Sequence, residues 1–371
     1  VSHPAVYLDA ASAEPLHPAA RAVLGAASTR GYADPRRLHG PGRDARLLLD
    51  NAREVVAAVL GVRRDEVMFT SSGSAAVHAG LLGLLPSGGA PVVMTAVEHQ
   101  SVPDATAWAG VPTRVVEVDR AGRVDAGSIA AAAREESAGL VVVQQANHEV
   151  GTLQPVDAVA EALGDVPLLV DAGASMGRLP LPPGWTAVAG SARKWGGPGG
   201  VGVLVVRRSA RWRHPFPAPD RTERADHGFT DVPGALAAAA ALQAVAAERD
   251  EVGGRQRAMI DLVRERVASI PDVDLVGDPV DRLPHLVTFS CLYVDGEALV
   301  SALDRHGFGI ASGSACAVDT REPSRVLAAM GALTHGNVRL SLTRDTTQSD
   351  VERFLDVLPG VVADLRAEVA L

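Results

Sequence analysis

Short apolar runs with almost no polar interruption recur between residues 66 and 208. They are EVMFTSS (66–72), APVVMTAVEH (90–99), TRVVEVD (113–119), GLVVVQQANHE (139–149), VPLLVDAG (166–173), TAVAGSARK (186–194) and GVGVLVVRR (200–208). A strand with one wet face alternates apolar and polar residues, whereas a continuous run is buried on both faces. Helical stretches such as SAAVHAGLLGLL (74–85) and VDAVAEALGD (156–165) lie between several of the runs. The pattern predicts a mostly parallel α/β sheet covered by helices.

The pattern changes after Pro233. Residues 234–270 read as long helix, with a break expected at Gly253-Gly254. Then come a strand (HLVTFSCLYV, 285–294), a helix (296–307), a Gly/Ser-rich segment around Cys316, a strand (NVRLSLT, 337–343) and a last helix. Thr347, followed three residues later by Asp350, is close to a capping box at that helix's start. The reading is a large domain over 15–245 and a smaller α+β domain over 1–14 and 246–371, the latter carrying the Cys316 loop.

Composition narrows the class. The chain has 371 residues, 47% hydrophobic and 21% charged, with a formal net charge of −9. No dense Lys/Arg run is present, so no nucleic-acid surface is expected. The alanine-rich run ALAAAAALQAVAA (235–247) is too short to span a bilayer, so no membrane segment is expected. The opening residues lack a basic region followed by an apolar core, the mark of a signal peptide. With two cysteines and no disulfide framework, a reducing, cytoplasmic setting is expected.

The two cysteines differ. Cys291 lies within an apolar strand pattern and reads as a buried thiol. Cys316 lies in GIASGSACAVDTREPSR (309–325), which reads as an accessible loop. Such a thiol suits nucleophilic chemistry, provided something lowers its pKa.

In open α/β sheets ligands sit at the carboxyl ends of strands. FTSSGS (69–74) ends one strand and opens a helix, as either an ordinary Ser N-cap or a phosphate site. His99, Asn147, His148 and Asp171 end others. Lys194 ends one more, before a Gly-rich run that lacks the Lys-Ser/Thr ending of a Walker loop. Each alone is readily structural. Together, a phosphate cradle, a strand-end Asp and a strand-end Lys suggest pyridoxal 5'-phosphate (PLP), with the Lys amine holding the cofactor and the Asp pairing with its pyridine nitrogen.

The motifs resemble those of the NifS/IscS-type cysteine desulfurases, in the class V aminotransferase group of fold-type-I PLP enzymes. The resemblance runs nearly end to end. YLDAASAEPLHP is similar to the family's opening Y-L-D-x-x-A-T-T-P, and TAVEHQSV to T-x-x-E-H-x-[AS]-V. ANHEVGTLQPV resembles V-N-N-E-I-G-x-x-Q, VDAGASMGRLPL resembles V-D-A-x-Q-S-x-G-K-x-P, and SARKWGGPGGVG resembles S-x-H-K-x-x-G-P-x-G-x-G. The most specific match is ASGSACAVDTREPSRVL, against S-S-G-S-A-C followed by E-P-S-x-V-L; NVRLSLTRDTT is similar to I-R-x-S-[LF]-G-R-x-T-T.

The resemblance implies a fold-type-I transferase that takes sulfur from L-cysteine, leaves L-alanine, and passes a Cys316 persulfide to a sulfur-acceptor protein. It implies Lys194, Asp171, His99, Gly73, Ser74, His148, Ser191 and Thr230 at the cofactor. Lys194 also moves the Cα proton, His99 stacks on the ring and acts in catalysis, and Thr230 reaches the neighbour's phosphate in a homodimer. Arg339 and Asn147 are implied at the substrate. Two other readings share the fold: a PLP lyase on a related substrate such as selenocysteine, and a non-catalytic scaffold. The chain departs from the pattern at His148 (for Asn, a contact of the cofactor's phenolic oxygen), Ala174 (for Gln), Arg193 (for His) and Ser74 (for Thr).

Overall fold

The computed structural model describes residues 5–216, 229–312 and 323–369. The strands are β1 (Val6–Tyr7), β2 (Val67–Thr70), β3 (Val92–Thr95), β4 (Thr113–Val116), β5 (Leu140–Gln144) and β6 (Leu168–Asp171). They continue with β7 (Ala187–Ser191), β8 (Gly202–Val206), β9 (Val273–Val276), β10 (Leu286–Cys291), β11 (Phe308–Gly309) and β12 (Asn337–Ser341). The helices begin with α1 (Pro18–Ser28), α2 (Gly40–Leu60), α3 (Gly73–Leu84), α4 (Ser101–Ala109) and α5 (Ala126–Glu135). After them come α6 (Val156–Leu163), α7 (Val232–Ala268), α8 (Gly296–Arg305), α9 (Arg325–Ala329) and α10 (Gln348–Val369).

A seven-stranded sheet has the order β2-β8-β7-β6-β5-β3-β4. All its pairings are parallel except those of β8, which is antiparallel to both β2 and β7. The link from β7 to β8 is too short for a crossover, so the chain turns straight back. Lys194 sits in that return. Every residue of β5, β7 and β8 is buried. On β5, Val141 and Val143 pack with α2, α6 and α7, while Leu140 and Val142 pack with α3 and α4. Helices on both faces thus explain the unbroken apolar runs of these inner strands; β4, at the sheet's edge, departs from the expectation and leaves Thr113, Arg114 and Val115 exposed.

The antiparallel sheet β12-β10-β9 forms a second core with α8, α10 and the latter part of α7. The N-terminal residues join it: β1 pairs in parallel with β11, and Asp9 bridges to Ser341. Thr347 and Asp350 cap α10 reciprocally, Thr347 N donating to the Asp350 carboxylate (3.0 Å) and Asp350 N to Thr347 Oγ1 (3.2 Å). Cys291 is buried in β10, and burial pushes its thiol up to about 11.

One expectation is overturned. Helix α7 runs unbroken for 37 residues through Gly253 and Gly254. A helical glycine costs only about 1 kcal/mol relative to alanine. Packing holds both sides of the pair: Ala235, Ala238 and Leu242 lie in the large-sheet core, and Met259, Ile260, Val263 and Val267 in the second.

Candidate active site

Parallel pairing brings the ends of β3, β5, β6 and β7 to one edge of the sheet. His99, His148, Asp171 and Lys194 follow or end those strands. His99 Nδ1 accepts a hydrogen bond from Ser101 N (3.1 Å), so its neutral ring carries the proton on Nε2. Burial holds its pKa below the usual histidine value. The His148 ring meets it edge to face, with centroids 5.0 Å apart. Burial first, then the nearby His99, Lys194 and Arg339, keep His148 neutral.

Asp171 Oδ1 accepts from Gly173 N (2.7 Å). Behind it lies a group that the sequence reading passed over. Glu98 is buried, and its Oε1 accepts from Thr95 Oγ1 (2.7 Å) and Gln144 N (3.0 Å). Burial, with a contribution from the Asp171 charge, raises its carboxyl to about 8. At neutral pH it is a carboxylic acid, which spares Asp171 a second buried negative charge.

Ser72 caps α3 by accepting from Ala75 N (3.0 Å). The Gly73 and Ser74 amides lie at the open end of this twelve-residue helix, an anion-binding position. A Cβ on Gly73 would stand 2.5 Å from the Ser191 Cβ, so only glycine lets the helix begin against the end of β7. Thr230 is half-buried and lines a larger recess of about 260 Å³ with Thr70 and Ser71.

Arg339, on β12, is buried. Its Nη2 donates to Asp9 Oδ1 (2.8 Å) and Ser12 Oγ (2.6 Å), and its Nη1 to the His148 carbonyl (3.1 Å). Asn147 is fully buried, and its carboxamide is committed to the protein. Oδ1 accepts from Glu149 N and Val150 N (2.8 Å each), and Nδ2 donates to the Val97 carbonyl (3.2 Å). It shapes the turn that carries His148. Cys316 lies outside the described residues.

A small recess of about 10 Å³ opens beside Lys194, lined by His148, Ala174, Arg178 and Lys194 from the large-sheet side. Ala10, Ala11, Leu283, His285 and Leu286 close it. Arg178 is held by Glu14 (2.7 Å). The sequence reading missed His285 and Arg178: a histidine opening an apolar strand reads as core, and Arg178 is one arginine among many. Glu98 had a signal, as it directly precedes His99.

The residues fit PLP. Among the described residues, His148 Nδ1 and Arg339 Nε are buried without a hydrogen-bond partner. Buried polar atoms left so are costly and point to a bound group. The α3 amides suit its phosphate and Asp171 its pyridine nitrogen. Among the described residues there is no His/Cys/Asp/Glu cluster for a metal, and no helix long and apolar enough to cross a membrane.

The family described as Aminotransferase class-V matches residues 6–354. Cysteine desulfurase IscS 1 of Archaeoglobus fulgidus is 32% identical, over 97% of this chain and 98% of its own. The IscS-like cysteine desulfurase of Mycobacterium tuberculosis is 36% identical, over 97% of each. A solved NifS-like protein superposes with a TM-score of 0.89 at 24% identity, covering 97% of this chain and all of that one. With its fold, and with this similarity over almost its whole length, the chain belongs to the class V aminotransferase family, among the PLP-dependent cysteine desulfurases.

Proposed function

We propose that this chain binds PLP and removes sulfur from L-cysteine, releasing L-alanine and leaving a persulfide on Cys316 for an acceptor protein. The observation that carries the reading is the meeting of Lys194, Asp171, His99 and His148 at the ends of neighbouring strands. Bound PLP supplies an electron sink at the substrate's α-carbon.

The chain's own residues do the rest. Lys194 anchors the cofactor and then moves the Cα proton. Asp171 pairs with the pyridine nitrogen, and His99 covers the ring. The Gly73 and Ser74 amides and Ser191 hold the phosphate, joined by Thr230 of the neighbouring subunit in a homodimer. Arg339 receives the substrate carboxylate, and Asn147 supports the turn beneath it. The Cys316 thiolate attacks the substrate sulfur: an S–S bond forms, the Cβ–S bond breaks, and the carbon takes up a proton.

The test is incubation of PLP-loaded protein with L-cysteine, with released alanine measured in parallel with borohydride reduction and peptide mapping. Alanine release and PLP fixed to Lys194 are expected, and Lys194→Ala should lose both. PLP fixed elsewhere would remove the assignment of Lys194. Alanine from selenocysteine but none from cysteine would replace the reaction with the lyase reading.

A further inference from the structure

His285 is 2% exposed, and its Nδ1 is buried with no hydrogen-bond partner among the described residues. It stands at the edge of β10, and its carbonyl accepts from Leu342 N (2.8 Å), so the backbone there is fixed by the antiparallel sheet. From that anchor the residue lines the recess that also holds Lys194 and His148. A buried imidazole nitrogen without a partner is costly unless something binds to it. Nothing in the reaction described above uses it.

We propose that His285 is a substrate-contacting residue that forms the subsite for the sulfur of the amino-acid substrate. The inference rests on the desulfurase reading of this site. Three features favour the sulfur over the substrate's charged groups. The other small-domain walls are apolar: Ala10, Ala11, Leu283 and Leu286. A thiol tolerates such walls, whereas a carboxylate does not. Burial, with Arg178, Arg339 and Lys194 nearby, keeps His285 neutral, so it offers one N–H and one lone pair. That pair of weak functions matches a thiol, which is itself a weak donor and acceptor. The carboxylate has a stronger site at Arg339. Being on the small-domain side, His285 would make cysteine, and not merely any α-amino acid, bridge the two parts of the chain.

The test compares L-cysteine with L-alanine, which has the same charged groups and no sulfur. Dissociation constants are read by stopped-flow from the bound cofactor's absorbance change, before turnover, in the full-length holoenzyme. His285→Leu should weaken cysteine about three- to tenfold, the loss of one hydrogen bond, and leave alanine within about twofold. His285→Asn, which keeps a donor and an acceptor, should recover most of the cysteine affinity, and it stands in if the leucine variant does not fold. Equal weakening of both ligands, or no change in either, would overturn the proposal. The readout does not need turnover: a wild type that binds cysteine selectively yet releases no alanine would count against the desulfurase reading and leave the subsite standing.

Discussion

Asp9 and Arg339, 330 residues apart in sequence, form an ion pair of 2.8 Å at the edge of the site. The guanidinium is buried, and the acid comes from the segment that joins the N-terminus to the antiparallel sheet. Removing one partner of a buried pair leaves an uncompensated charge. Asp9→Ala should therefore destabilise the protein by about 3 kcal/mol. Urea unfolding measures this, and a loss below about 0.5 kcal/mol would mean that solvent already screens the pair. Asp9→Asn, which keeps an acceptor for Nη2, should cost less.

Gly73→Ala should weaken PLP binding. The new methyl would meet Ser191 at 2.5 Å, so the first turn of α3 must back away from the end of β7. Overpacking of this kind costs about 1–3 kcal/mol, and here it falls on the amides proposed for the phosphate. Titrating the apoprotein with PLP should show about a tenfold or greater loss of affinity. Unchanged affinity would separate α3 from the phosphate.

Glu98 makes stability depend on pH. Its carboxyl is raised from the ordinary 4.5 to about 8 in the folded chain. Between those values the unfolded state gives up its proton while the folded state keeps it, so stability falls as pH rises through that window. Below it the contribution is complete, and above it no more is lost. Glu98→Gln removes the titration. The variant should melt higher than the wild type at about pH 9 and close to it at about pH 4. Parallel melting curves across this range would show that Glu98 is ionised in the folded protein.

Cys291 and Cys316 should differ in chemistry. The Cys291 thiol, pushed up to about 11 in a buried strand, holds almost no thiolate at neutral pH. Cys291→Ser should leave alanine release nearly intact. Cys316→Ser should keep the bound cofactor and stop both persulfide formation and alanine release. Mass spectrometry after exposure to cysteine checks both, and a sulfur adduct on Cys291 would reverse the assignment.

Local pattern made much of this legible. The apolar runs marked the strands of the large sheet because helices cover both of its faces. Parallel pairing then put His99, His148, Asp171 and Lys194 on one edge, since residues after successive parallel strands emerge on the same side. The Thr347–Asp350 cap was readable because both partners lie within one turn. The antiparallel course of β8 follows from the short return at Lys194, which the apolar runs alone do not report, whereas the continuity of α7 was not written locally: it comes from packing on either side of two glycines. His285, Arg178 and the Asp9–Arg339 pair were invisible for the same reason. Each gains its meaning from a residue far off in sequence, brought close by the two cores. Sequence periodicity reports which face of an element is buried, and only the tertiary structure decides which distant side chains share that burial.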